Sequence, residues 1–116
     1  MAFKPKEFHV NSTDEFQDMI DEKDFRIAEA IVEGILANLK GKKKHVHLLS
    51  VIIEEENSVY DITVERKHFA ETLEENIVHY VREERYEDCQ RIADVIAELK
   101  GDQLSNILQT ITGSKK

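Results

Sequence analysis

Apolar residues along this chain change their spacing twice. From Phe16 to Leu39 they recur at helical intervals, from Val46 to Val64 they crowd and alternate, and from Phe69 onward the helical interval returns. A period near 3.6 marks one face of a helix and a period of 2 marks a strand. Phe16, Met19 and Ile20 predict a short helix over 13–21. Ser12 with Glu15 three positions on forms a capping box at its start, in which hydroxyl and carboxylate satisfy orphan backbone N–H groups. "DEKD" breaks that helix, and Asp24 caps the next one. Its stripe is Phe25, Ala28, Ile31, Ile35 and Leu39, widened by Ile27, Val32 and Leu36, and Gly41 is expected to close it from the C′ position.

The middle segment is rich in β-branched residues around a turn cluster, Glu56-Asn57-Ser58, and predicts a β-hairpin over 45–54 and 59–65. In the second strand Tyr60, Ile62 and Val64 alternate with Asp61, Thr63 and Glu65. Strict alternation in the first strand sends Val46, Leu48 and Ile52 to one face and Leu49, Val51 and Ile53 to the other. A strand apolar on both faces needs cover on both, from the third helical segment or from a second copy of the chain. "KEFHV" near the start is a further short extended segment with Phe8 and Val10 on one side.

A second helical pair follows. Phe69, Leu73, Ile77, Tyr80 and Val81 form one stripe, "REER" breaks it, and Tyr86, Cys89, Ile92, Ile96 and Leu99 form the next. Gly101 is expected to stop that helix and Asp102 to cap a last one carrying Leu104, Ile107, Leu108 and Ile111. The two pairs align at an offset of 61, which sets Phe16 against Ile77, Phe25 against Tyr86 and Ile35 against Ile96. Each unit reads as an antiparallel αα-hairpin, although helical periodicity alone aligns any two such units. The expected fold is α+β: two αα-hairpins flanking a central β-hairpin, plus a C-terminal helix. A chain of this length is expected to form a single domain, over 1–112, with a flexible tail at 113–116.

Residues 73–99, "LEENIVHYVREERYEDCQRIADVIAEL", resemble the UVR motif, the helical hairpin of the UvrB and UvrC excision-repair proteins and of McsA-type adaptors of bacterial stress proteolysis. Leu73 and Ile77 stand at the leading apolar positions. Tyr86-Glu87 stands at the aromatic-acidic pair that opens the second helix, and Asp94, Ile96 and Leu99 at the closing positions. The motif's paired alanines are Tyr80-Val81 and Cys89-Gln90 in this chain, and the arginine before the aspartate is Ala93. What the resemblance implies is a protein-docking module without catalysis.

Composition sharpens the picture. Charged residues make up 34% of the chain and the formal net charge is −8, which argues against general coating of nucleic acid, favours solubility and permits docking onto a basic partner. The apolar share of 41% is patterned rather than scattered, so the chain reads as folded and not as an acidic disordered tail. With one cysteine, no signal peptide and no apolar run of about 18 residues, a cytoplasmic protein without a membrane span is expected.

Four lysines, Lys40, Lys42, Lys43 and Lys44, stand together between helix and strand. "GKKK" lacks the leading Gly, the spacer and the following Ser or Thr of a phosphate-binding loop. It reads first as a solvated connection and second as an anion contact. His45 and His47, two apart in a strand, share a face, but no Cys or carboxylate is tied to them by spacing, so no metal site and no cofactor is expected. Cys89 takes the small apolar slot that Ala28 fills in the other unit, which is the pattern of a buried core residue. Glu83, Glu84, Glu87 and Asp88 concentrate negative charge at the break and first turn of the second hairpin, and are the expected partner-binding residues.

The expected function is therefore non-enzymatic: a small acidic regulatory or adaptor protein of bacterial or phage type, acting as a homodimer and docking a protein partner through the hairpin at 69–99. Two other classes fit the charge pattern. One is an inhibitor whose acidic surface imitates nucleic acid. The other is a small RNA- or nucleotide-binding regulator using the loop at Lys40–Lys44 with His45 and His47.

Overall fold

The computed structural model describes residues 3–113, and for 102–113 the backbone alone. The chain divides into two compact units between Phe69 and Ala70. Among the described residues the class is α+β, with four α-helices and a three-stranded mixed sheet.

The first unit contains β1 (Lys6–Val10), α1 (Thr13–Asp21), α2 (Phe25–Ala37), β2 (His45–Ile53) and β3 (Ser58–Glu65), then a single 3-10 turn at Arg66–His68. The strand order is β1-β2-β3, so β2 is central. The short extended segment at the start joins the sheet: β1 lies parallel to β2, in register from Lys6 opposite Leu49 to Val10 opposite Ile53. A parallel pair needs a long crossover, and α1 and α2 supply it. The expected central hairpin is thus two strands of a three-stranded sheet. Its turn spans Glu54–Asn57, closed by Asn57 N–H to Glu54 O at 3.2 Å. Asn57 takes the left-handed conformation, with φ of 53°, which asparagine tolerates better than most residues.

A β-bulge corrects the expected two-sided apolar character of β2. His47 lies opposite Thr63 but Leu49 lies opposite Ile62, so Leu48 is the extra residue. A bulge shifts alternation by one position beyond it. Val46 therefore shares a face with Leu49, Val51 and Ile53, through partners Val64, Ile62, Tyr60 and Ser58. The opposite face carries His45, His47, Ser50 and Ile52 beside Glu65, Thr63, Asp61 and Val59. The opposite face is thus more polar than alternation predicts, yet it is still partly covered, with Ser50 buried and His47 and Ile52 half-buried. On the apolar face Val10, Ala30, Leu49, Val51 and Ile53 form a buried cluster, and Phe8, Phe16, Met19, Ile31 and Ile62 pack against it. Leu48 also packs toward α2. A Cβ added to Gly34 would stand 2.7 Å from its Cδ2 atom and 3.4 Å from its Cα, so the helix approaches the bulge closely there and a larger residue would make the Leu48 side chain move.

The N-caps read for α1 and α2 are present. Ser12 Oγ accepts from Glu15 N at 3.2 Å, and Glu15 Oε2 accepts in return from Asn11 N, one residue before the cap, at 2.8 Å. Asp24 Oδ1 accepts from Arg26 N at 3.0 Å, and the Arg26 guanidinium donates to the same carboxylate at 3.1 and 2.7 Å. Those guanidinium hydrogen bonds hold the Asp24 carboxyl below its ordinary pKa against the desolvation that would raise it.

The end of α2 departs from expectation. The helix stops at Ala37 with Asn38 as its cap, and no glycine in the described residues has positive φ. Asn38 replaces the expected Gly41 device: its N–H donates to Ile35 O at 3.0 Å and its Nδ2 to Gly34 O at 2.7 Å.

The second unit contains nearly all of α3 (Phe69–Arg82), together with α4 (Tyr86–Gly113). Lys100 Nζ reaches the Glu74 carboxylate at 2.9 Å, so α4 folds back along α3 as a hairpin. The expected stop at Gly101 and separate last helix are not observed, since α4 runs unbroken through 28 residues. A lone glycine costs a helix about 1 kcal/mol, too little to end it without a competing cap. The tail placed at 113–116 lies outside the described residues except for Gly113, which ends α4.

The two helical breaks share one geometry. After α1, Glu22, Lys23 and Asp24 donate to Asp18, Ile20 and Met19. After α3, Glu83, Glu84 and Arg85 donate to His79, Val81 and Tyr80, each pair displaced by the same 61 positions. The pivots are Lys23 and Glu84, with φ of 56° and 58°. These are Schellman turns with a charged residue where glycine is usual. A side chain held in that region costs about 1–2 kcal/mol, partly offset by the extra chain entropy of glycine when unfolded. Glu84→Gly and Lys23→Gly should each raise stability by up to about 1 kcal/mol in urea unfolding. A loss in both variants would mean that the side chains hold these turns.

Candidate functional site

The tip of the α3–α4 hairpin gathers most of the acidic residues singled out in the sequence. Glu84, Glu87 and Asp88 line a depression of about 370 Å³ with Arg85 and Tyr86. Glu83 instead meets Arg82 Nε at 3.4 Å. Asp88 is held by Arg85 at 2.7 Å and by Arg91 at 3.5 Å. The acidic cluster is therefore interleaved with arginines, and Asp88 is part of the turn's own scaffold. Arg85 also lies 5.7 Å from the Tyr80 ring centroid, within range of a cation–π attraction.

Apolar side chains stand exposed at the same tip. Tyr86 is 61% exposed, Val78 59% and Val81 50%, whereas Leu73, Tyr80 and Ile92 of the same unit are fully buried. Val81 and Tyr86 were expected in the core stripes, and this is a correction. Both flank the break, where the stripe of a helix runs out of neighbours to cover it. Val78 was missed altogether. Its signal was an apolar residue on an otherwise charged row, between Glu74 and Arg82 at i±4. Cys89, expected in the core, is only half-buried.

The lysine loop is exposed throughout, from Lys40 to Lys44. What sequence reading missed is the residue that shapes it. Arg66 donates from Nη1 to Asn38 O at 2.8 Å and Leu39 O at 3.4 Å, and from Nε to Lys43 O at 2.7 Å. Its backbone N–H donates to Lys44 O at 2.7 Å, and its guanidinium lies 5.0 Å from the Phe69 ring centroid. One arginine thus ties both ends of the loop and turns the lysine side chains outward. Beside it lies a cleft of about 280 Å³ lined by Phe3, Pro5, Asn38, Lys43, His45, Val46 and His47. Of the four lysines, Lys43 lines this cleft.

The polar sheet face brings a serine, a histidine and an aspartate into contact. Ser50 Oγ donates to Asp61 Oδ1 at 2.7 Å, and His47 Nε2 stands 2.8 Å from Ser50 Oγ and 3.0 Å from Leu49 O. Leu49 O can only accept, so a hydrogen bond there calls for the tautomer with the proton on His47 Nε2. A nucleophilic serine needs the opposite polarity, donating to an unprotonated ring nitrogen. Here the serine proton goes to the carboxylate, and Ser50 is 6% exposed. The trio is a satisfied hydrogen-bond chain that fixes the bulge next to it. The other histidine on this face that was weighed for metal, His45, faces Glu65 at 3.8 Å. No group of three or more metal-ligating side chains occurs among the described residues.

At the hairpin turn of the sheet, Glu54 pairs with His9 at 3.0 Å and Glu56 accepts from Thr13 Oγ1. These carboxylates fasten β1 and the start of α1 to the β2–β3 turn. No helix among the described residues is long and apolar enough to cross a membrane. Comparison with known proteins returns no matching family model, no matching curated protein and no matching solved structure.

Proposed function

We propose that this protein is a non-enzymatic adaptor that docks a protein partner through the tip of its α3–α4 hairpin. The observation that carries the reading is the exposure of Tyr86, Val78 and Val81 at a tip otherwise built from charge. Interfaces concentrate their energy in a few anchors, with tyrosine enriched, inside a polar rim that excludes water. Tyr86 is such an anchor, and Glu84 and Glu87 supply the rim. The complementary partner has an apolar groove edged by basic residues. A UVR-like role for residues 73–99 agrees with this use of the hairpin and belongs to the same proposal, as do action in the cytoplasm and a bacterial or phage origin.

Among the alternatives, nucleic-acid mimicry is the weaker. Mimicry needs a run of unneutralised carboxylates, and Arg82, Arg85 and Arg91 break this one up. The small-anion reading gains a specific support in the cleft that joins Lys43, His45 and His47 to the aromatic Phe3.

The test is capture on immobilised protein, comparing the parent with the double variant Val81→Ser, Tyr86→Ser. Both side chains are exposed, so stability should change by no more than about 0.5 kcal/mol per site. The expected result is loss of at least tenfold in partner retained. Equal retention of every captured protein by parent and variant would remove the tip from the interface.

A further inference from the structure

We infer that β3 is a self-association edge, pairing antiparallel with β3 of a second copy to join the two sheets edge to edge. In the described sheet β3 has a neighbour on one side only. It is a full-length strand of eight residues, and its outer positions Val59 and Tyr60 are 62% and 51% exposed. An open edge of this length presents unpaired N–H and C=O groups and is a template for another strand. Proteins blunt such edges with proline, lysine or a bulge on the edge strand itself. β3 contains no proline or lysine, and the extra residue at the bulge belongs to β2.

Symmetry and charge together select the register. A two-fold axis perpendicular to the sheet keeps each face on its own side and passes midway between one residue and its own copy, which names the axis. An axis at Asp61 sets that carboxylate directly against its own copy. An axis at Thr63 sets Asp61 against Glu65 twice. Like charges directly opposite are destabilising. Axes nearer the strand ends shorten the overlap. An axis at Ile62 avoids both faults. It sets Ile62 against Ile62, Tyr60 against Val64, Asp61 against Thr63 and Val59 against Glu65. The first two pairings continue the apolar face across the junction, because Tyr60, Ile62 and Val64 all lie on the side of Leu49 and Val51.

The strand ends are complementary in the same arrangement. The turn Glu54-Glu55-Glu56 precedes β3, and exposed Lys67 and His68 follow it beside the lysine loop, with Lys67 also 3.3 Å from Glu65 of its own strand and Arg66 engaged by the loop carbonyls. Antiparallel pairing brings the acidic end of each copy alongside the basic end of the other. The occupant is therefore a second copy of this chain. This interface uses other residues and another unit than the hairpin tip and stands or falls apart from it.

The experiment is sedimentation velocity across a concentration series on three full-length proteins: the parent, Thr63→Lys and Thr63→Asp. Thr63 is exposed, and in the proposed register it faces Asp61 of the other copy on both sides of the axis. The parent should shift from monomer to dimer with rising concentration. Thr63→Lys creates two opposite-charge pairs and should dimerise several-fold more tightly. Thr63→Asp creates two like-charge pairs and should dimerise several-fold more weakly. Thermal unfolding of each variant at low concentration confirms that the monomer is folded. Parent and Thr63→Lys both monomeric throughout would overturn the proposal. So would dimers of equal affinity in the two variants, or the reverse order.

Discussion

Arg66→Ala should destabilise the protein by about 2–4 kcal/mol, the largest loss expected from any single polar side chain in the first unit. Three charge-assisted hydrogen bonds run from its guanidinium to Asn38 O, Leu39 O and Lys43 O. Bonds to charged groups contribute about 1.5–3 kcal/mol each, and they do not add. Removal also leaves those carbonyls to find other donors and takes away the face contact with Phe69. Arg66→Lys should recover less than half of the loss. One ammonium cannot span both ends of the loop, whereas the planar fork does so with its Nε and Nη1 donors. Urea unfolding measures both variants. A cost under about 1 kcal/mol for Arg66→Ala would mean that the loop is held by its own turns. Because the lysines project from the loop that Arg66 ties, any anion bound at the Lys43 cleft should weaken with Arg66→Ala as well.

Local signals were legible in the sequence where they are made by neighbours in the chain. Ser12, Glu15 and Asp24 cap the helices that their spacing announced. The bounds of α1 match, and those of β2 and β3 fall within one residue of the expected ones. The Schellman turns were seen as polar breaks, and their shared geometry extends the alignment at 61 to the backbone itself. Short helical hairpins have few ways to turn, which is enough to give both breaks the same geometry.

What was hidden depends on partners distant in sequence. The parallel pairing of β1 with β2 joins residues more than forty positions apart, and five residues of alternation cannot reveal it. The bulge at Leu48 is a property of the pairing with β3, and without it alternation assigned the wrong face to half of β2. Arg66 reads as one more charge after a strand, and its role exists only because Asn38 and Lys43 lie across from it. Gly41 and Gly101 were over-read as stops. In the first case Asn38 had already capped the helix, and in the second no capping group competed with the continuing helix. At the hairpin tip three of the four acidic residues singled out, Glu84, Glu87 and Asp88, line one depression, while Glu83 meets Arg82. Exposed Val81 and Tyr86 were absorbed into core stripes, because periodicity tells which face a residue is on but not whether anything covers that face.

Ile92→Ala should cost about 2–5 kcal/mol, the range for truncating a fully buried isoleucine. Ile92 is completely closed off from solvent, and β-branched truncation removes both transfer energy and packing. Ile92→Val removes one methylene and should cost only about 0.5–1.5 kcal/mol. Ile96, one turn on, is half-buried, so Ile96→Ala should fall below Ile92→Ala. Since a whole domain has about 5–15 kcal/mol to lose, Ile92→Ala can empty the folded hairpin at working temperature. It should then lose partner capture together with its helical circular-dichroism signal. The tip variant Val81→Ser, Tyr86→Ser should lose capture and keep that signal. The two variants separate a hairpin that binds from one that merely folds. If Ile92→Ala melts the helices yet still captures the partner in full, binding resides outside the second unit and the docking assignment fails. If its cost is no greater than that of Ile96→Ala, the burial gradient along α4 is not the one that holds the hairpin together.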